Sequence, residues 1–199
     1  MPKRDRMKKL ESKCSHACSN TYNAQDADWV NVKSTISTSA DQIAIAPGSL
    51  IKDWEEDGRR YFEYELDKPV LNFYMFMSAD YEVQRAKWRD VDLEVYYHKG
   101  HEYNVDKMLK SMENSLEYFS SNFLPYPHHQ ARIIEFPRFS SFAQAFPGTM
   151  PYSESIGFIA NLKEKDSIEG VYYVVAHEMA HQWWAHQVIG AEMQGATLL

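Results

Sequence analysis

The sequence predicts an α+β fold in which an antiparallel β region leads into a helical part, and three observations carry that prediction. Between Trp29 and His98, β-forming residues gather in short, often alternating runs separated by turn residues. After Gly100 the apolar period becomes that of a helix. The 199 residues are 44% hydrophobic, enough to bury the core of one large or two small domains.

Residues 1–27 are polar, show no sustained period and read as an arm or linker with a basic start. Cys14 and Cys18 flank His16 there, a C-x-H-x-C cluster that could bind metal or form a disulfide; its spacing fits no zinc-finger pattern well, so ordinary cysteines or a local disulfide are the favoured reading. Residues 28–98 form the β region. VNVKSTIST, QIAIA and RRYFEYEL are strand-like, and Glu56-Asp57-Gly58 supplies a hairpin turn. The continuous apolar run 70–77 predicts a strand covered on both faces, with the Met and aromatic residues of 73–77 as core. Val91, Leu93, Val95 and Tyr97 alternate with Asp92, Glu94 and Tyr96, a half-buried strand that stops at Lys99-Gly100.

Residues 99–199 form the second part. Val105, Met108, Leu109, Met112, Leu116, Phe119 and Phe123 make one helical stripe, with Asn104 as N-cap and an end before Pro125. Residues 132–136 read as a short strand, 137–153 as a loop and 156–160 as extended chain. Asp166 with Glu169 resembles a capping pair opening a last helix.

Lys and Arg number 21 against 28 Asp and Glu, a formal charge of −7, which argues against a nucleic-acid partner. The N-terminus lacks the apolar stretch of a secretory signal, and no apolar run is long enough for a membrane span. Localisation and oligomeric state stay open on these grounds.

The segment VYYVVAHEMAHQWWA, residues 171–185, carries the chemistry. His177 and His181 are four apart, so a helix places both imidazoles on one face, where they can share a metal ion. Glu178, beside the first, can take the proton of a water that the metal makes acidic. These are the parts of a zinc peptidase, and peptide-bond hydrolysis is the natural reaction class. VYYVVA sets the motif on a partly buried helix, where unpartnered polar groups are costly. Trp183 and Trp184 are expected to pack the end of that helix, while His128 and His129, in a loop, receive no role.

HEMAHQWW resembles the HE-x-x-HQW signature of the aminopeptidase N family of zinc peptidases, the gluzincins. In that family a G-x-M-E-N segment upstream binds substrate, and Ser153-Glu154-Ser155-Ile156-Gly157-Phe158-Ile159 occupies a similar place. The resemblance implies that Glu154 binds the free α-amine of a peptide substrate. Ser153 stands where the family usually has Met, Ser155 where it has Asn and His186 where many relatives have Asn. These departures look most like the bacterial branch joined to an ABC-transporter-permease-like membrane region, which would set the basic arm beside a membrane. The resemblance further implies that residues 28–98 end an N-terminal β domain and that 99–199 begin a thermolysin-like catalytic domain.

Relatives complete the zinc site with a glutamate that follows the second histidine after an intervening stretch of about 18 or 19 residues, and residues 182–199 use up 18 of them. Counted from His181, that position falls just past Leu199. Glu192 comes too early, and His186 stands one residue short of the metzincin third-ligand position. The expectation is therefore a fragment of a longer zinc aminopeptidase, itself weakly active or inactive. The alternative is a non-catalytic peptide-binding or transporter-accessory module of peptidase-like fold.

Overall fold

A computed structural model of the chain describes residues 29–162 and 169–188. The expectations for Cys14, His16, Cys18, Asp166 and Glu192 lie outside them. The elements in chain order are β1 (Trp29–Val30), β2 (Lys33–Ser39), β3 (Ile43–Ile45), β4 (Ser49–Glu56), β5 (Arg59–Glu65), β6 (Val70–Leu71), β7 (Met77–Ala79), β8 (Glu82–Trp88), β9 (Val91–Tyr97), α1 (Val105–Asn122), β10 (Gln130–Phe136), β11 (Thr149–Ser153) and α2 (Gly170–Ala180). The described chain is an α+β structure, rich in sheet and with two α-helices.

The first strands pair antiparallel, as alternation predicts. β5 lies between β2 and β4, and β3 pairs with β7. Asp57 and Gly58 both take positive φ, 51° and 73°, which matches the twist of the β4–β5 hairpin. Trp54 opposite Tyr61 stacks on it at 5.2 Å.

The second sheet has the order β11-β10-β9-β8, with β8–β9 antiparallel and both β9–β10 and β10–β11 parallel. α1 is the crossover that makes β9 and β10 parallel, since parallel neighbours need a long connection. β8 and β9 are therefore bonded into the same sheet as β10, and hydrogen bonding runs across residue 98.

Every residue of β10 is buried. Ile133 belongs to the cluster of α1, α2 and β9, while Ile134 joins Ile45, Tyr81 and Tyr96 on the side of the first β region. A strand covered on both faces loses simple alternation, which is why RIIEF reads as a run. Arg132, 1% exposed, ties the two layers together. It donates to the Gly48 and Ala46 carbonyls and Gln130 Oε1 and sits over the Tyr64 ring.

Several expectations give way to tertiary structure. The run 70–77 is not one strand: Phe73 N–H donates to the Leu71 carbonyl at 2.5 Å, a tight turn that ends β6. Its side chains serve separate neighbours, Phe73 against Phe146 and Met75 and Met77 in the β3 cluster, and Phe76 stays 51% exposed. The core assignment of 73–77 is corrected to partial burial. The expected loop 137–153 contains β11, in which Pro151 is tolerated because β11 is the last strand of its sheet. Residues 156–159 form turns rather than extended chain. Asn104 does precede α1, but its side chain makes no capping bond; it donates to the carbonyls of Gly157, Phe158 and Ala160 and fixes that turn. Glu169 at the start of α2 likewise makes no cap and accepts from Lys107 Nζ at 2.9 Å.

Candidate functional site

α2 carries HEMA and ends at Ala180, with His181 as its C-cap. Its apolar residues Val171, Val175 and Met179 are buried against α1, and Ser111 of α1 donates to the Tyr172 carbonyl at 2.8 Å. This packing leaves the His177 side of the helix toward solvent. Beyond the helix, Trp183 is buried among Phe119 and Tyr126, and its indole N–H donates to the Leu124 carbonyl at 2.6 Å. Trp184 packs edge-on to Phe119 and Phe123, so both tryptophans act as packing groups, as expected.

The two histidine rings are perpendicular, and their Nε2 atoms stand 3.2 Å apart. His181 Nδ1 lies 3.1 Å from the Trp184 carbonyl. A carbonyl only accepts, so Nδ1 bears the proton and Nε2 of the neutral ring presents its lone pair towards His177. Burial, followed by the neighbouring His181, lowers the His177 pKa and favours its neutral form. Zinc held tetrahedrally by bonds of about 2.0–2.1 Å separates two nitrogens by roughly 3.3 Å, so the pair fits such an ion.

Glu178 is 6% exposed, and burial pushes its carboxyl pKa up, moderated by His181. A raised carboxyl is the better base. Tyr152 of β11 lies within electrostatic range of Glu178, and its buried hydroxyl has no hydrogen-bond partner among the described residues. Burial, then Glu178, raises the phenol pKa. Gln182 clamps the motif to the turn before β11: its Oε1 accepts from Gly148 N–H at 2.8 Å and its Nε2 donates to the Phe146 carbonyl at 3.0 Å.

Glu154 follows β11 directly. Its Oε1 accepts from Arg138 N–H at 3.2 Å with Arg138 Nε at 3.5 Å, and its Oε2 lies 4.0 Å from His101 Nδ1. Its neighbours are thus Arg138 and His101 rather than the motif side chains. Gly157 is required because a Cβ there would run into the Tyr152 ring. His186 is not part of the motif pair; it is buried, stacks on Phe73 and donates from Nε2 to the Ala145 carbonyl.

His101, Glu135 and Tyr152 escaped the sequence reading. Glu135 alone left a signal, a charge inside the apolar run RIIEF, which has to be paired when buried. His101 and Tyr152 left none, because only the sheet brings them to their partners.

No family model matches the chain. It is 24% identical over 165 residues to aminopeptidase M1-B of Oryza sativa subsp. japonica, covering 78% of this chain and 18% of that protein. It is 31% identical over 116 residues to endoplasmic reticulum aminopeptidase 1 of Homo sapiens, covering 57% of this chain and 12% of that protein. The chain thus spans less than a fifth of the length of these relatives. At this coarse level it is distantly similar to aminopeptidases of the M1, or aminopeptidase N, kind.

Proposed function

We propose that the chain carries part of the active site of a zinc-dependent aminopeptidase, with His177 and His181 as metal ligands, Glu178 as general base and Glu154 as the group that binds the substrate's α-amine. The observation that carries the proposal is the 3.2 Å approach of two imidazole nitrogens, one of them fixed in its tautomer by the Trp184 carbonyl. A bound zinc supplies Lewis acidity that makes a water acidic enough to lose a proton near neutral pH. Glu178 is the group to hold that proton and return it to the leaving amine, and its raised pKa suits both transfers. Glu154 orients the peptide by its free amino terminus, which confines cleavage to the first residue.

The proposal includes a thermolysin-like second part beginning near residue 99, into whose sheet β8 and β9 are bonded, after the end of an N-terminal β domain over 28–98. It also includes a third zinc ligand beyond Leu199 and membership of the branch joined to a transporter-permease-like membrane region. Among the described residues no helix is long and apolar enough to cross a membrane.

The test is zinc content and aminoacyl-reporter hydrolysis in the protein extended along its reading frame. Glu178→Gln keeps zinc and loses at least a hundredfold in kcat, the scale of a lost general base, whereas His181→Ala loses zinc. Zinc retained in His181→Ala overturns the ligand assignment. Binding of peptide amino termini without zinc or turnover would leave the non-catalytic module instead.

A further inference from the structure

His101, Glu135 and Glu154 converge away from the motif helix, their ligand-type atoms all within 4.8 Å of one another. They sit at the carboxyl ends of three adjacent parallel strands: His101 shortly after β9, Glu135 near the end of β10 and Glu154 directly after β11. The carboxyl edge of parallel strands is where such sheets bind ligands.

Glu135 is wholly buried, and both of its oxygens are used. Oε1 lies 2.5 Å from His101 Nδ1, and Oε2 accepts from His98 N–H at 2.6 Å. A carboxylate only accepts, so His101 Nδ1 bears a proton and points it at Glu135. Glu154 Oε2 is 4.0 Å from the same nitrogen, too far for a hydrogen bond, and accepts none among the described residues. Arg138 engages the other oxygen. One oxygen of Glu154 is therefore left as an open anionic acceptor beside a donor committed elsewhere.

We propose that Glu135 is a positioning residue that keeps Glu154 open for a primary ammonium, the free amino terminus of a peptide, because Glu135 draws the His101 proton away from Glu154. This rests on the reading of Glu154 given above. A glutamine at 135 offers one acceptor oxygen to two donors. The backbone N–H of His98 cannot move away, so the His101 ring is released and can close the gap to Glu154.

The experiment is calorimetric titration of the full chain near neutral pH with leucinamide and with N-acetyl-leucinamide. The wild type binds the first and not the second, and Glu154→Gln abolishes the difference. Glu135→Gln weakens leucinamide binding about tenfold, the scale of one charge-assisted hydrogen bond. Adding His101→Phe to Glu135→Gln removes the competing donor and restores binding to within about threefold of wild type, a rescue that a merely structural role for Glu135 does not give. Thermal melts by circular dichroism confirm that each variant is folded, and His101→Phe alone, altered at a side chain 30% exposed, is the second entry to the same test should Glu135→Gln not fold. In that case a leucinamide affinity unchanged between wild type and His101→Phe supports an uncommitted Glu154, and a large loss overturns it. Wild-type affinity in Glu135→Gln, or no rescue in the double variant, overturns the inference while the Glu154 reading stands. Equal affinity of the wild type for both ligands, or full leucinamide binding by Glu154→Gln, overturns the Glu154 reading and the inference with it.

Discussion

At the scale of single residues, Glu178 and Trp183 bear opposite burdens beside the same histidine pair. Burial raises the Glu178 pKa, so its protonated form is the one the fold favours. The stability it contributes is present below the ordinary carboxylate range and is lost as pH rises through its folded pKa. Above that folded pKa the zinc-free chain carries a buried charge, and Glu178→Gln should raise its midpoint in urea unfolding. Unchanged or lower stability would contradict the burial argument. Trp183 fills the space between α1 and the end of the motif helix and meets the Leu124 carbonyl. Trp183→Ala leaves a cavity and an unmet acceptor, with an expected loss of about 3–5 kcal/mol in the same measurement.

At the scale of elements, the sheet and the turn after β11 depend on polar side chains that a propensity argument assigns to other tasks. Asn104 has the position of an N-cap, yet its amide donates to three carbonyls of residues 157–160, and so links the start of α1 to the turn that follows Glu154. Asn104→Asp replaces the donor by an acceptor facing carbonyls. It should cost about 2–3 kcal/mol and increase amide exchange at residues 157–160, whereas a simple N-cap would tolerate aspartate. Arg132 joins β10 to the first β region through buried carbonyls. Arg132→Ala leaves those acceptors and Glu94 without it and should cost about 3–5 kcal/mol, read as a lowered denaturation midpoint. The α1 boundaries and the β4–β5 hairpin were legible in the sequence because both follow from local periodicity and turn chemistry. β11 was not, because Pro151 and the surrounding Gly and Ser residues describe a loop until β10 offers a partner.

At the scale of the whole molecule, acid should loosen the packing of the two layers. His128 and His186 are both buried, and desolvation lowers each to a pKa of about 4. A base whose folded pKa is depressed gives stability that is fully present above its unfolded value near 6.5 and is lost as pH falls towards 4. The expected loss is on the order of 3 kcal/mol per histidine across that window, and His128→Phe should flatten the profile of melting temperature against pH. A profile unchanged by that substitution would assign the acid sensitivity elsewhere. By itself the sequence determined the α+β character, the helix of α1 and the meeting of His177 with His181, because a spacing of four on a helix leaves the two rings no other relation. It determined nothing about His101 and Tyr152, and about Glu135 only that a charge inside RIIEF has to be paired when buried. Those residues lie far apart along the chain, and their neighbours are set by which strands pair and in what direction. Only the parallel registration of β9, β10 and β11 decided that a buried glutamate, a histidine and Glu154 would share one edge.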